Sequence, residues 1–494
     1  MKYMKLMISS VLMLFVALPG FDLNFFGWFA LVPYFILILS TTKKVKKSFV
    51  FGTFLGAVVY CFVLIINRES LLIRIGSWIL LTILQGVVFG LYGFLIKIIE
   101  LKNRSVFSRT LLLSLGWIAV EIVTAKMFFG FTIYPGITQY NNRIILPLAR
   151  YIGLYGVSFL VILSNSCVAL FYIAYKNGKT KKSLTDFIIV LLIFVTVIFS
   201  GFINIVSIDD SNGEYPESKL KVSLVQANIS PFYHRVSESY PEVANDIFEK
   251  YMAMTLKAIN EHNSKVVVWP ETAIHRWIFR LPYYYDKLCT MAKDKNVYLI
   301  IGSPDLNEFD EEYNSAFIIS PKGELVGKYD KNVLIPIWEG IFISGNKLEP
   351  IVTEDFSAGI NICFEVLFPH IAATHVSNGA DILFVLSDNS IFGYTLIPYI
   401  TSAFAVFRAV ENDVYVVQNM NTGPSKIIGP NGDILAKSSL FQESIISYDF
   451  KINKNSGMCY ARYGGNFYCL IMLLFLIYML YDGLNIIIKV GRNN

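Results

Sequence analysis

The sequence is short of charge: Asp, Glu, Lys and Arg make up 16% of its 494 residues, and it has only five histidines and six cysteines. A chain of this length exceeds what one hydrophobic core holds, so at least two domains are expected. With 54% hydrophobic residues and a mean hydropathy of +0.53, part of it must be solvated by lipid, which excludes a wholly water-soluble protein. The formal charge of +5 is small for the length. Its basic residues gather in short clusters between apolar runs, a pattern of membrane topology and not of nucleic-acid binding. Cys61, Cys167, Cys289, Cys363, Cys459 and Cys469 contain no CxxC pair and no metal-ligand spacing, so neither a disulfide framework nor a zinc site is expected. His370 and His375, five apart, face no cluster of ligand type. No metal and no cofactor are therefore expected. There is no internal repeat and no low-complexity segment.

What the chain does have is long apolar runs. The first, MKYMKLMISSVLMLFVALPG, has the charged start of a signal peptide but no small-x-small cleavage site, and it reads as a retained helix. Others cover Phe25 to Leu39, Phe49 to Ile66, Ile75 to Ile96, Thr110 to Ala125, Ile152 to Tyr175, Phe187 to Ile205 and Phe467 to Ile488. Most approach the roughly 20 residues a bilayer needs, giving about eight spans. Basic residues fall at alternate boundaries: Lys2 and Lys5, Lys43 to Lys47, Lys97 to Arg109, Lys176 to Lys182, then Lys489 and Arg492. The positive-inside rule makes these boundaries, and both termini, cytoplasmic. The predicted organisation is a transmembrane helical domain over 1–207, an extracytoplasmic catalytic domain over 208–466, and a last helix with a cytoplasmic tail over 467–494.

Within the polar region the pattern changes to short apolar runs alternating with helical stretches. KVSLVQAN, KVVVW, VYLIIG, AGINIC, DILFVL and VYVVQN read as buried strands. Helices are predicted near Pro241 to Glu261, Pro282 to Asp294, Leu367 to Asn378 and Leu396 to Glu411. The sum is a helix-covered α/β layer structure.

Three polar residues lie at or just beyond such segments: Glu271 in VVWPETA, Lys331 in GKYDKNVLIP and Cys363 in GINICFEVLFP. Taken singly, Glu271 reads as well as a helix cap, Lys331 as a solvated loop residue and Cys363 as a small core residue. Together they are a chemically complete set without a metal. A thiol nucleophile needs a base to take its proton and a cation or N–H donors at the developing oxyanion, and Glu and Lys supply these.

WPE, YDKxxLIP and ICFExLFP in this order resemble the nitrilase superfamily and its Glu-Lys-Cys triad. Joined to the membrane runs, they resemble the apolipoprotein N-acyltransferase family, and the resemblance covers nearly the whole chain. YPGITQY followed by LARYIGLYGVSFLV, NMNTGPS and CYARYGG match further family blocks. The resemblance implies a membrane α-helical bundle with an extracytoplasmic nitrilase-like αββα sandwich. It makes Glu271 the general base, Lys331 the oxyanion partner and Cys363 the nucleophile, with Glu339 and Glu365 as supporting carboxylates. It further implies Phe232, Tyr233, Trp338, Phe364, Asn389 and the membrane-embedded Glu121 as substrate-lining residues. Two departures bear on the lipid-facing side: Ile391 where a Trp is common, and Phe232 or Tyr233 in place of a Trp. The implied donor is a phospholipid, the acceptor a diacylglyceryl-modified apolipoprotein, and the location the bacterial cytoplasmic (inner) membrane. The rival reading is a membrane-anchored amidase or nitrilase acting on a small substrate, which has no need of the matched membrane segments.

Charge placement alone makes a topology prediction. Reporters fused near Lys179 or at the C-terminus will report cytoplasmic and one near Gly213 extracytoplasmic; a cytoplasmic Gly213 contradicts the assignment.

Overall fold

The computed structural model describes residues 2–61, 71–99, 105–127, 130, 132–178, 184–196, 198–199, 219–335, 339–451 and 473. The predicted last span, the CYARYGG block, Trp338 and the end of the run at 187–205 lie outside them. Contacts divide the chain into two compact units, an N-terminal helical one and one falling within Asp209–Arg462.

The helical unit contains α1 (Lys2–Ala17), α2 (Val32–Leu39), α3 (Lys44–Val59), α4 (Leu71–Ile98), α5 (Val106–Met127) and α6 (Ala149–Lys176), followed by the apolar α7 (Leu184–Thr196). Among the described residues, three helices are long and apolar enough to cross a bilayer, at Arg74–Ile98, Val106–Met127 and Leu146–Lys176. The run at 25–39 is broken. A 3₁₀ segment at Asn24–Trp28 precedes α2, whose eight residues reach only about 12 Å. Pro33 in the first turn of α2 and the buried Asn165 explain the break. The Asn165 side chain accepts from the Leu31 N–H at 2.7 Å and donates to the Gly27 carbonyl at 2.9 Å, satisfying backbone groups that an unbroken helix would pair itself. α3 and α4 pack closely at Gly52, where an added Cβ would lie 2.5 Å from the Gln85 carbonyl oxygen.

The second unit is an αββα sandwich. One sheet has the order β12-β1-β2-β3-β4-β5 and the other β11-β10-β9-β8-β7-β6. The first comprises β1 (Lys219–Gln226), β2 (Val266–Val268), β3 (Tyr298–Leu306), β4 (Glu312–Ile319), β5 (Leu325–Asp330) and β12 (Ser444–Lys451). The second comprises β6 (Ile351–Val352), β7 (Ser357–Ile362), β8 (Ile382–Ser387), β9 (Tyr415–Met420), β10 (Lys426–Ile428) and β11 (Ile434–Lys437). In each sheet a parallel trio, β1-β2-β3 or β7-β8-β9, is flanked by antiparallel strands. α9 (Pro241–His262) and α10 (Pro282–Lys295) cover the first sheet, and α11 (Pro369–Ser377) and α12 (Ile397–Asn412) cover the second. α8 (Pro231–Ser239) leads into α9.

The six predicted strands and four predicted helices of this unit all form, the strands as apolar runs buried by a layer on either side and the helices with an apolar face laid on a sheet. Six further strands among the described residues are unpredicted. Of these, β5, β11 and β12 are mostly half-exposed, with charged sequences and no continuous apolar run. β6 and β10 have only two and three residues, and β4 is a buried strand that opens on Glu312, Tyr313 and Asn314.

Asn419 joins the two sheets. From β9 its amide donates to the Val225 carbonyl at 3.1 Å and to the Val268 carbonyl at 2.7 Å, both at the ends of strands in the opposite sheet. Removing it strands buried acceptors, at about 1–3 kcal/mol each. Asn419→Leu will lower the denaturant midpoint of the purified protein by a corresponding amount; an unchanged midpoint means that these carbonyls find other partners.

Candidate active site

The site is built at the carboxyl ends of the parallel strands, where α/β folds gather side chains from distant sequence. Glu271 follows β2, Lys331 follows β5 and Cys363 follows β7 directly. The local backbone is tight. Thr272 and Cys363 have positive φ values of 38° and 53°, conformations that side-chain-bearing residues seldom adopt and that cluster at functional sites. Beside Glu271 the chain tolerates only glycine on β3. A Cβ on Gly302 would meet the Pro270 carbonyl oxygen at 2.3 Å and the Glu271 Cα at 2.7 Å.

Lys331 is fully buried, which excludes the solvated-loop reading. Its Nζ lies 3.1 Å from Glu271 Oε1 and 2.6 Å from Glu339 Oε1. Asn314, buried on β4, donates to the same two carboxylates at 2.8 and 3.4 Å. The second oxygen of each carboxylate is held by backbone: Asp388 N–H to Glu271 at 2.8 Å, and Ile335 N–H to Glu339 at 2.8 Å. One cation thus sits between two carboxylates, themselves fixed by neutral donors. Burial alone favours a neutral amine, but the charges of Glu271 and Glu339 outweigh it and hold Lys331 above its ordinary range, so it stays protonated.

Cys363 is buried, within the electrostatic reach of Glu271 and Lys331. Burial and the Glu271 charge push its thiol well above the ordinary value, against the pull of Lys331. At rest Cys363 is therefore a neutral thiol, and not a preformed thiolate.

Glu365 has a different place. Its carboxylate accepts from Ile362 N–H at 2.7 Å, Asn332 N–H at 2.6 Å, Val333 N–H at 3.1 Å and the Tyr329 hydroxyl at 3.0 Å. It ties the turn carrying Lys331 to the strand end carrying Cys363. Burial raises its carboxyl to about 7, with the three N–H donors opposing. Of the other predicted residues, Phe364 is buried and packs near Phe392 with ring centroids 6.3 Å apart. Asn389 is buried and directs its amide to Met420 Sδ at 3.3 Å. Phe232 and Tyr233 are exposed on α8. Glu121 belongs to the helical unit, where it accepts from Trp117 Nε1 at 2.7 Å and from Ser158 Oγ at 2.8 Å. Sequence reasoning missed Asn314, Gly302, Tyr329 and the Asp388 N–H. Each is a single residue with no pattern of its own in the sequence, although an Asn that opens a strand's buried stretch, as in EYNSAFII, is the kind of signal that marks Asn314.

The model of the carbon-nitrogen hydrolase family matches residues 221–455, the stretch that holds this thiol, buried lysine and carboxylate set. The N-terminal domain of apolipoprotein N-acyltransferase matches residues 10–167. The chain is 27% identical to apolipoprotein N-acyltransferase of Geobacter metallireducens, over 94% of this chain and 92% of that one. It is 26% identical to apolipoprotein N-acyltransferase 1 of Treponema denticola, over 93% and 92%. Among solved structures, Saccharomyces cerevisiae Nit3, a member of branch 10 of the nitrilase superfamily, matches 47% of this chain and 89% of its own at 23% identity and a TM-score of 0.39. Both halves are matched in order, and the chain is similar to apolipoprotein N-acyltransferases along nearly their whole length.

The charge arrangement predicts the pH dependence of thiol reactivity. Alkylation of Cys363 by iodoacetamide, followed by peptide mass spectrometry, will rise about tenfold per pH unit through pH 9, as expected of a thiol still protonated there. A plateau near neutral pH shows a preformed thiolate paired with Lys331 and contradicts the reading.

Proposed function

We propose that this chain is a phospholipid-dependent N-acyltransferase that moves a fatty acyl group through a thioester on Cys363 to the α-amine of a diacylglyceryl-cysteine lipoprotein N-terminus. The observation that carries this reading is the fully buried Lys331 between Glu271 and Glu339, with the buried Cys363 thiol at the end of β7 in their electrostatic reach. The membrane half matched to the same family favours it over a small-substrate amidase.

In the first half-reaction Glu271 takes the Cys363 proton as sulfur attacks the ester carbonyl of the donor. Negative charge then develops on the carbonyl oxygen, where the Lys331 ammonium stabilises it. Collapse expels the lysophospholipid alkoxide, which takes the proton from Glu271. In the second, the lipoprotein amine attacks the thioester and gives its proton to Glu271. Cys363 leaves as a thiolate and recovers that proton, so acid and base are regenerated. Glu339 keeps Lys331 in place, and Glu365 sets the spacing between Lys331 and Cys363. Phe232, Tyr233, Trp338, Phe364 and Asn389 are the proposed lining on the lipid side, and Glu121 a membrane-embedded contributor.

The proposed setting is the bacterial inner membrane, with about eight spans. The boundaries are those read from the sequence, 1–207, 208–466 and 467–494, with the catalytic domain on the extracytoplasmic side. The alternation of basic clusters supports this orientation. Holding donor and acceptor in one leaflet makes the transfer effectively intramolecular and avoids extracting acyl chains into water.

Two variants test the roles. Cys363→Ala will fold and insert but form no acyl adduct, whereas the wild type incubated with phospholipid and no acceptor will accumulate a thioester on Cys363; an adduct on Cys289 instead overturns the assignment. Lys331→Met will slow thioester formation by a hundredfold or more, as loss of about 3 kcal/mol of oxyanion stabilisation requires. Normal thioester formation with weakened lipid binding makes Lys331 a headgroup contact.

A further inference from the structure

On the side of Glu271 opposite Lys331, three side chains converge that the acyl-transfer chemistry does not use. His234 lies on α8, His275 lies four residues beyond Glu271, and Asp388 follows β8 directly. One potential ligand atom from each, imidazole nitrogens and a carboxylate oxygen, lies within 4.8 Å of the others. The two imidazole rings stack with centroids 4.5 Å apart and planes at 27°. His234 is buried, while His275 and Asp388 are half-buried, so the cluster has a closed back and an open front.

Each member is already oriented by a neighbour. Asn421 holds two of them: its Nδ2 lies 3.2 Å from His234 Nε2 and donates to Asp388 Oδ1 at 3.1 Å, as well as to the Ile229 carbonyl at 2.8 Å. Ser390 N–H also donates to Asp388 Oδ1, at 3.0 Å. The third, His275, has its Nδ1 2.9 Å from Glu238 Oε1. A carboxylate on one ring nitrogen fixes the tautomer and turns the other nitrogen outward, the arrangement that orients histidine ligands in metal sites.

We propose that His234, His275 and Asp388 form a binding site for one divalent transition-metal ion of the zinc class, and that its occupancy acts on catalysis through Asp388. Two imidazoles and one carboxylate suit borderline ions such as zinc and cobalt, and not the oxygen-seeking magnesium and calcium. Ligand atoms on a tetrahedral zinc sit roughly 3.3 Å apart, so from separations within 4.8 Å closure needs at most about 1.5 Å of approach per pair, within reach of the half-buried His275 and Asp388 side chains. The fourth position faces the open side and takes water. The coupling is direct, because the residue whose side chain binds the ion donates its backbone N–H to Glu271 Oε2 at 2.8 Å. Drawing Asp388 toward the ion shifts that N–H and with it the carboxylate that must accept the Cys363 proton. The site is regulatory and takes no part in the group transfer itself.

The test uses full-length protein in detergent, stripped of metal by chelation. Cobalt(II), added to a Cys363→Ala background so that the active-site thiol is removed, will bind one equivalent and give d–d absorption without a sulfur-to-cobalt charge-transfer band. Zinc will displace it. His234→Gln and His275→Gln will each weaken binding by at least about tenfold, the loss that follows from disturbing a metal's ligand sphere. Zinc will slow thioester formation by the Cys363-containing enzyme in step with occupancy, and the His275→Gln enzyme will keep its rate at the same zinc concentration. No binding, a charge-transfer band, or binding indifferent to both histidine substitutions overturns the site. Binding lost in both variants while the parent's rate ignores occupancy overturns the coupling. Neither result bears on whether Cys363 carries the acyl group.

Discussion

The catalytic unit is organised around a buried ammonium. A lysine removed from water costs several kcal/mol unless its charge is matched within hydrogen-bond distance, and Lys331 is matched twice, by Glu271 and Glu339. Those carboxylates are in turn held by the Asn314 amide and by two backbone N–H groups. The neighbouring geometry follows: the absence of a Cβ at Gly302 lets Glu271 approach, and Glu365 sets how far Lys331 stands from the end of β7. Replacing Lys331 by an uncharged residue leaves two carboxylates sharing a dry pocket.

The same charge count determines how the nucleophile is handled. With one cation already answered by two anions, a thiolate would add a further uncompensated charge, and the thiol stays protonated at rest. Deprotonation is therefore concerted with attack, when charge moves from sulfur to an oxyanion that Lys331 can meet. This separates the site from thiol enzymes that store a thiolate beside a histidine. It also suits the two-step acyl transfer proposed above, in which one base accepts first the thiol proton and then the amine proton.

Much of this was legible before any coordinates. The six buried strands and their covering helices follow from short apolar runs, and the order WPE, YDK, ICFE places Glu271, Lys331 and Cys363 at three strand ends. What could not be read depends on approach between distant segments. Asn314 is one polar residue in a strand, and nothing in EYNSAFII says that it faces two carboxylates 43 and 25 residues away in sequence. Glu365 reads as a companion of Cys363, yet its partners are backbone groups of the Lys331 turn, invisible to any side-chain pattern. In the helical unit the run at 25–39 looks like a span by hydropathy alone. Pro33 and the bonds from Asn165, more than 100 residues later, break it.

The central claim is that one carboxylate, Glu271, moves the proton in both half-reactions. The direct measurement is single-turnover transfer from preformed thioester. Glu271→Gln enzyme is loaded by prolonged incubation with phospholipid, the acylated fraction is recovered, and amide formation is followed after adding a diacylglyceryl lipopeptide. Gln keeps the volume and one acceptor but has no useful basicity, so the account predicts transfer about a hundredfold to ten-thousandfold slower than from loaded wild-type enzyme. Transfer at the wild-type rate would contradict it, restricting Glu271 to acylation and requiring a second base, with Glu339 and Glu365 the candidates within the same buried cluster.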